Sequence, residues 1–237
     1  MISVSFTNAI DPCLGKFEKS SVSQQALMEL LLNGMFGKDN IMGENQEISV
    51  SISRWTGTKL EEDSVTGIFW QGKHLSGSLA LEYLPPTLLH GYFSSNSFEG
   101  TLVLTDLPAR LTELLVYSNQ LTGSLDLTKL PQTLTSLNLH TNKFSGSIDL
   151  TQLPGQMHDL NVSSNTLSGT PDFTKLSSHM SALYMHYNDF HGKADFGHLP
   201  ELLRALYLNN THLEGFLVSR RNLAVYADNT HIEVLTP

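Results

Sequence analysis

The residues able to do chemistry in this chain are ten histidines, one cysteine and 23 carboxylates. Cys13 has no second cysteine to bridge and no recognisable histidine partner, so neither an internal disulfide nor a thiolate nucleophile is expected. "GKHLSGS" lacks the spacing of a phosphate loop, and the chain carries neither a nucleophile elbow nor a paired-histidine metalloprotease helix. His158 and Asp159 are adjacent and therefore point to different sides of an extended segment. His140 and His186 stand two copies of a recurring segment apart, about 10 Å if the copies stack at strand spacing. Metal-bound imidazoles sit ~2 Å from their ion, so no metal site is expected and the histidines read as solvent-facing. No cofactor is expected, and the chain reads as something other than an enzyme.

What recurs instead is a set of rings. Phe69, Tyr92, Tyr117, His140, Tyr184, His186, Tyr187 and Tyr207 fall at three neighbouring positions of one repeated segment. Exposed aromatics in such a pattern suit protein contact, because each brings a large area and, in Tyr and His, a polar tip. A parallel sheet also tolerates aromatic residues for packing reasons alone. The first reading is preferred, with Tyr184, His186, Tyr187 and Tyr207 as its centre.

The segment that must position them repeats every 23 residues. Leu84, Leu107, Leu130, Leu153, Leu176 and Leu199 open successive copies, and Pro follows in all but the fifth. With Leu130 as offset zero, apolar residues recur at offsets 4, 7, 9, 14, 18 and 20. Offsets 7 and 9 have strand spacing. Glycine occupies offset 16 in each copy from Gly77 to Gly215, which calls for a turn or a close backbone approach. The Leu-Pro element suits a short helical turn, capped by Thr105, Thr128, Thr151 or Thr174. Asn96, Asn119, Asn142, Asn165 and Asn188 share offset 12, where an amide both donates and accepts between its own coil and the next. This ladder stops at Lys73 and Thr211, where a neighbour is expected to be missing. Asp126, Asp149, Asp172 and Asp195 form a second column. Its like charges read as a solubilising guard against edge association, with a cation or basic-partner site as the alternative.

The pattern "LxxLxLxxNxLxG" resembles the leucine-rich repeat superfamily over about residues 65–215. The resemblance implies an α/β, right-handed solenoid with parallel strands on its concave face. Short helical turns or second strands would form the convex face, the second strand falling in "SLDLT" or "SIDLT". The glycine ending is similar to the plant-type repeat. Residues 1–64 resemble the cap of plant-type receptors, with a helix in "SSVSQQALMELLLNGMFGK" and a Trp-x-Gly element at Trp55 and Gly57. In that helix Ser23 is the expected N-cap, Ala26, Leu27, Leu30 and Leu31 the buried face, and Gly34 the stop. Such caps normally hold a cysteine pair, and this one does not. The expected organisation is an N-terminal extension and helical cap over 1–64, in which residues 1–20 and 37–50 fit no repeat, then about seven repeats over 65–219 and a closing coil over 220–237. In the closing coil Leu223, Val225 and Asp228 stand for a shortened "LxLxxN".

Composition narrows the partner. Net charge is −9, which disfavours phosphate backbones and anionic lipid, so no nucleic acid and no membrane insertion are expected. Hydrophobic residues at 40% and charged residues at 16% fit a packed domain. One cysteine and the opening "MISVSFTNAIDPCLGK", which does not read as a leader, point to an intracellular, cytoplasmic setting. The glycosylation-like triplets "NVS" at Asn161 and "NNT" at Asn209 then read as coincidence. The expected function is an adaptor or scaffold binding a protein partner on its concave face. The alternatives are a recognition protein outside the cell and a structural subunit of a large assembly.

Overall fold

Each repeat supplies two short strands, and in the computed structural model, which describes residues 19–43 and 50–235, these stack into two nine-stranded sheets. The concave sheet runs from the antiparallel edge strand Thr58–Glu61 through Ser64–Phe69, His90–Tyr92, Glu113–Leu115, Ser136–Asn138, Asp159–Asn161, Ala182–Tyr184 and Ala205–Tyr207 to Ala224–Tyr226. From Ser64–Phe69 onward its neighbours pair in parallel and in one register, as in Leu114↔Leu137↔Leu160. The core lies between the sheets, and all six apolar offsets are buried: Leu134, Leu137, Leu139, Phe144, Ile148 and Leu150 in one coil. No coil can enclose these side chains alone, so burial depends on stacking.

The second sheet is not where the sequence reading placed it. Its strands, such as Gln120–Gly123, Lys143–Gly146 and Thr166–Gly169, end on the glycine instead of following it. Gly123 and Gly146 adopt φ of 86° and 80°, a left-handed conformation that stops the ladder and turns the chain inward. "SLDLT" then buries Leu125 and Leu127 without joining a sheet. The expected helical turn at Leu-Pro is also smaller than a helix. Leu134 N donates to Pro131 O at 2.9 Å and the coil goes straight into its next strand.

The hydroxyls of Thr128, Thr151 and Thr174 do not cap those turns but donate to aspartates in the bend just before them. Asp126, Asp149 and Asp172 each accept from the N–H and the hydroxyl of the threonine two residues on, at 2.6–3.0 Å. Those two bonds, the hydroxyl first, hold all three carboxyls below the usual aspartate range. The acidic column is therefore a repeated turn device.

The asparagine ladder works between coils as expected, but reaches backward. Asn165 Oδ1 accepts from Phe144 N at 3.0 Å, while its Nδ2 donates to Leu139 O of the preceding coil and Val162 O of its own. The ladder begins at Asn96, which reaches back to Leu75 N and Trp70 O, and Lys73 stands at offset 12 of the first repeat, which has no repeat before it to reach. At the other end a preceding coil exists, so a missing neighbour is not the reason for Thr211, whose hydroxyl caps Leu208 O of its own coil at 2.7 Å.

The helix spans Gln24–Leu31, with the Ser23 hydroxyl accepting from Ala26 N. Of the expected face it buries Leu27 and Leu31, with Ala26 and Leu30 half-buried, and Met28 joins them in the core. Trp55 is buried against Trp70, its indole N–H donating to Val50 O at 2.8 Å. Asp39–Met42 adds a single helical turn that buries Ile41. Cys13 and residues 44–49 lie outside the described residues.

The closing coil is shorter than the repeats, which moves its register. Val225 pairs with Leu206 and Tyr226 with Tyr207. Val225 is thus the offset-7 residue, not offset 9, and Asp228 takes offset 10, its carbonyl accepting from Asn210 N. The strand His231–Leu235 ends the second sheet.

Candidate functional site

Side chains that leave the concave sheet come from offsets 6, 8 and 10. Offsets 5 and 11 serve the backbone, with Tyr187 at offset 11 the one ring that also reaches the face. At offset 5 the hydroxyls of Thr112, Thr135 and Ser181 bond to carbonyls of the preceding coil, at 2.8–3.2 Å. At offset 11 the chain turns in the left-handed region, with φ of 54–55° at Ser95, Ser118, Thr141, Ser164, Tyr187 and Asn210.

Three groups of rings stand on the face. In the first, Phe69 meets Tyr92 edge-on at 5.1 Å and stacks with His90 at 6.5 Å. The Tyr92 hydroxyl donates to Glu113 Oε2, whose other close neighbour is His90 Nδ1 at 3.7 Å. Burial, with the Glu113 carboxylate beside it, pushes the Tyr92 phenol up to about 12. In the second, Tyr117 and His140 lie face to face, 4.6 Å apart and 8° from parallel.

The third group is the largest. Tyr184 contacts Tyr207 at 4.9 Å, and Tyr207 stacks on Tyr226 at 4.3 Å. His186 sits among Tyr184, Tyr187 and Tyr207, with ring centroids 5.5–6.4 Å away. Its Nδ1 is enclosed and has no hydrogen-bond partner among the described residues. Burial lowers the basicity of both His140 and His186, and the charge of His140 lowers His186 further. The two imidazoles feel each other across Ser163, a small buried residue in the same column. Among the described residues no group of three or more metal-ligating side chains converges.

Tyr187 stands out by its backbone. It is 55% exposed and has φ of 54°, where the neighbouring coils place serine, threonine or asparagine. A bulky residue in that region is disfavoured by contact of its Cβ with the backbone. Strain of this kind collects where a side chain must be presented.

Between the ring groups the face is polar and self-satisfied. Asn161 Oδ1 accepts from both the N–H and the hydroxyl of Ser163, and Asn138 Oδ1 accepts from His140 N. All eight ring residues expected from the sequence thus lie on one face, but in three groups. The reading placed Glu113 on this face as one of its few charges but missed His90, which the ruler puts at the same offset 6, and Tyr226, hidden by the shortened closing coil.

No family model and no curated protein sequence matches the chain. Solved structures do. The BIR2 ectodomain of Arabidopsis thaliana aligns with a TM-score of 0.58 and 21% identity, covering 76% of this chain and 97% of that one. A pollen receptor kinase 3 structure gives 0.55 and 18% identity, over 88% and 95%. The ectodomain of the Arabidopsis receptor kinase HAESA, in complex with an N-terminally extended IDA peptide hormone, gives 0.65 and 17% identity. That match covers 90% of this chain and 41% of HAESA, so the chain spans less than half of that ectodomain. The stacked strands, the asparagine ladder and these alignments agree on the architecture: the chain is a leucine-rich-repeat solenoid.

Proposed function

We propose that the chain is a non-enzymatic protein-binding module that holds a partner polypeptide along its concave face. The main contact is the Tyr184, His186, Tyr187, Tyr207 and Tyr226 group, and Tyr117–His140 with Phe69, Tyr92 and Glu113 continues it. The observation that carries this reading is Tyr187, an exposed tyrosine beside His186 held in a backbone conformation that costs stability. An interface of ordinary size, ~1,600 Å² in total, fits within eight stacked strands.

The setting has two readings. The missing cysteine pair favours an intracellular adaptor or scaffold. Solved structures that share this fold include receptor ectodomains, one of them bound to a peptide hormone, which favours recognition of an extracellular protein or peptide. No helix among the described residues is long and apolar enough to cross a membrane.

The test is affinity capture from lysate and from culture medium, comparing wild type with a folded Tyr184→Ala/Tyr187→Ala/Tyr207→Ala variant. A protein retained by wild type and lost by the variant supports the concave site, and the fraction in which it appears selects the setting. Equal recovery by both contradicts it.

A further inference from the structure

The ring group at the N-terminal end of the concave face differs from the other two, because it contains a carboxylate. His90 and Glu113 are cross-strand neighbours at offset 6, and Phe69 and Tyr92 are cross-strand neighbours at offset 8. The first repeat has Gly67 at offset 6. A Cβ at that position would lie 2.5 Å from the Phe69 ring, so the bare backbone is what lets the ring lie back across its own strand. Phe69 then stands at 82° to Tyr92 and within 25° of parallel to His90. The three rings form a corner, and Glu113 stands at its end beside Tyr92 and His90.

The bonding of Glu113 shows what the corner lacks. Its Oε2 accepts from the Tyr92 hydroxyl and is also the atom 3.7 Å from His90 Nδ1. Its Oε1 has no hydrogen bond or ion pair among the described residues, and the side chain is 37% exposed. The nearby cations do not fill the gap. Lys59 pairs with Glu61 at 2.7 Å on the edge strand, and Arg110 forms no ion pair among the described residues. Ring faces are electron-rich, so they draw a cation and repel an anion. The net charge of −9 steers the same kind of partner toward the chain.

We propose that this corner is a subsite for an arginine side chain of the partner polypeptide, an inference that rests on the concave-face reading above. The guanidinium stacks on a ring of the corner and donates to Glu113 Oε1. Arginine fits better than lysine, because its planar head lies flat on a ring while its edge N–H groups reach a carboxylate. Tyr92 acts as a positioning residue: its hydroxyl holds Oε2, which leaves Oε1 for the ligand. Asp159 repeats offset 6 two coils on without making a second such subsite. Its Oδ1 takes the Ser181 hydroxyl, and its own coil and the one before place Asn161 and Asn138 at offset 8, where the corner has rings.

The experiment is a two-dimensional NMR titration of the 237-residue chain with N-acetyl-arginine amide and with N-acetyl-citrulline amide, a neutral compound of the same shape. The wild type is expected to bind the arginine compound, with amide shifts in His90–Tyr92 and Glu113–Leu115, and the citrulline compound at least about fivefold more weakly. Glu113→Gln keeps an acceptor for the Tyr92 hydroxyl and should abolish that preference. Glu99→Gln makes the same charge change on the second sheet and should preserve it. Equal binding of the two compounds, no shifts in those strands, or a preference that survives Glu113→Gln would overturn the subsite. The probe is a single residue, so the two readings fail separately. Equal capture by wild type and the triple tyrosine variant contradicts the concave-face reading while the arginine preference is still measured.

Discussion

Tyr207 and Tyr226 stack with ring centroids 4.3 Å apart and 25° between their planes, although they are separated by fewer residues than one repeat. The pairing of the Ala205–Tyr207 and Ala224–Tyr226 strands brings them together. The neighbouring Tyr226 phenol raises the Tyr207 phenol above the ordinary tyrosine range. The two rings therefore act as one surface. In a double-mutant cycle, Tyr207→Ala and Tyr226→Ala should be non-additive in urea unfolding. Additive effects would mean that the rings are independent.

Tyr187 should trade stability for binding. Tyr187→Asn places a residue suited to the left-handed region at that turn, as Asn210 does one coil on. Urea unfolding should show a gain of up to about 1 kcal/mol from relieved strain, while partner capture weakens. A loss of stability would show that the ring packs more than it strains.

The asparagine ladder gives a contrast within one coil step. Asn165→Leu strands Phe144 N, an unmet buried donor that costs about 1–3 kcal/mol, while Leu139 O keeps the Nδ2 of Asn142. Asn138→Leu gives up a long bond to His140 N on a half-buried face, and should fall within about 0.5 kcal/mol of wild type. Equal midpoints for the two variants would contradict the inter-coil role.

Acid sensitivity should come in two windows. His140 and His186 have lowered pKa values in the fold, so below the ordinary histidine range the unfolded chain takes up protons that the folded chain refuses. Stability should fall as pH drops through about 6.5, and His140→Gln/His186→Gln should flatten that slope. Asp126, Asp149 and Asp172 have lowered pKa values too, but for carboxylates. Their contribution is present above about 3.9 and is lost as pH falls below it. Solvent exposure keeps it small, and replacing all three with Asn should weaken only this second slope.

Tyr92 should ionise late. With its phenol near 12, a spectrophotometric titration should show one class of tyrosine that Tyr92→Phe removes. Glu113→Gln should move that class down, since it removes a hydrogen-bonded carboxylate while leaving the burial that is the larger cause.

The parts of this structure that repeat were legible from residue spacing, because a stacked coil translates one position into one environment. Leu114, Leu137 and Leu160 are buried in one register for the reason that each occupies offset 7. Parts that depend on local backbone geometry were not. The glycine at offset 16 signalled a turn, yet nothing in "SLDLT" shows that the ladder ends before it. The aspartates read as charges because their partner is a hydroxyl and an N–H two residues away, a bond that only the turn creates. Tyr226 escaped because the closing coil drops residues, which a fixed ruler cannot follow. The ring residues were found on the right face, but their three groups depend on side-chain directions that spacing does not carry.

The most direct test of the central claim is site-specific photocrosslinking. A benzophenone side chain would replace Tyr187 on the concave face or, in a second protein, Val103, which is exposed outside that sheet. The account predicts that position 187 crosslinks the captured partner and that position 103 does not. Crosslinking from 103 alone would place the partner away from the concave face and contradict the account.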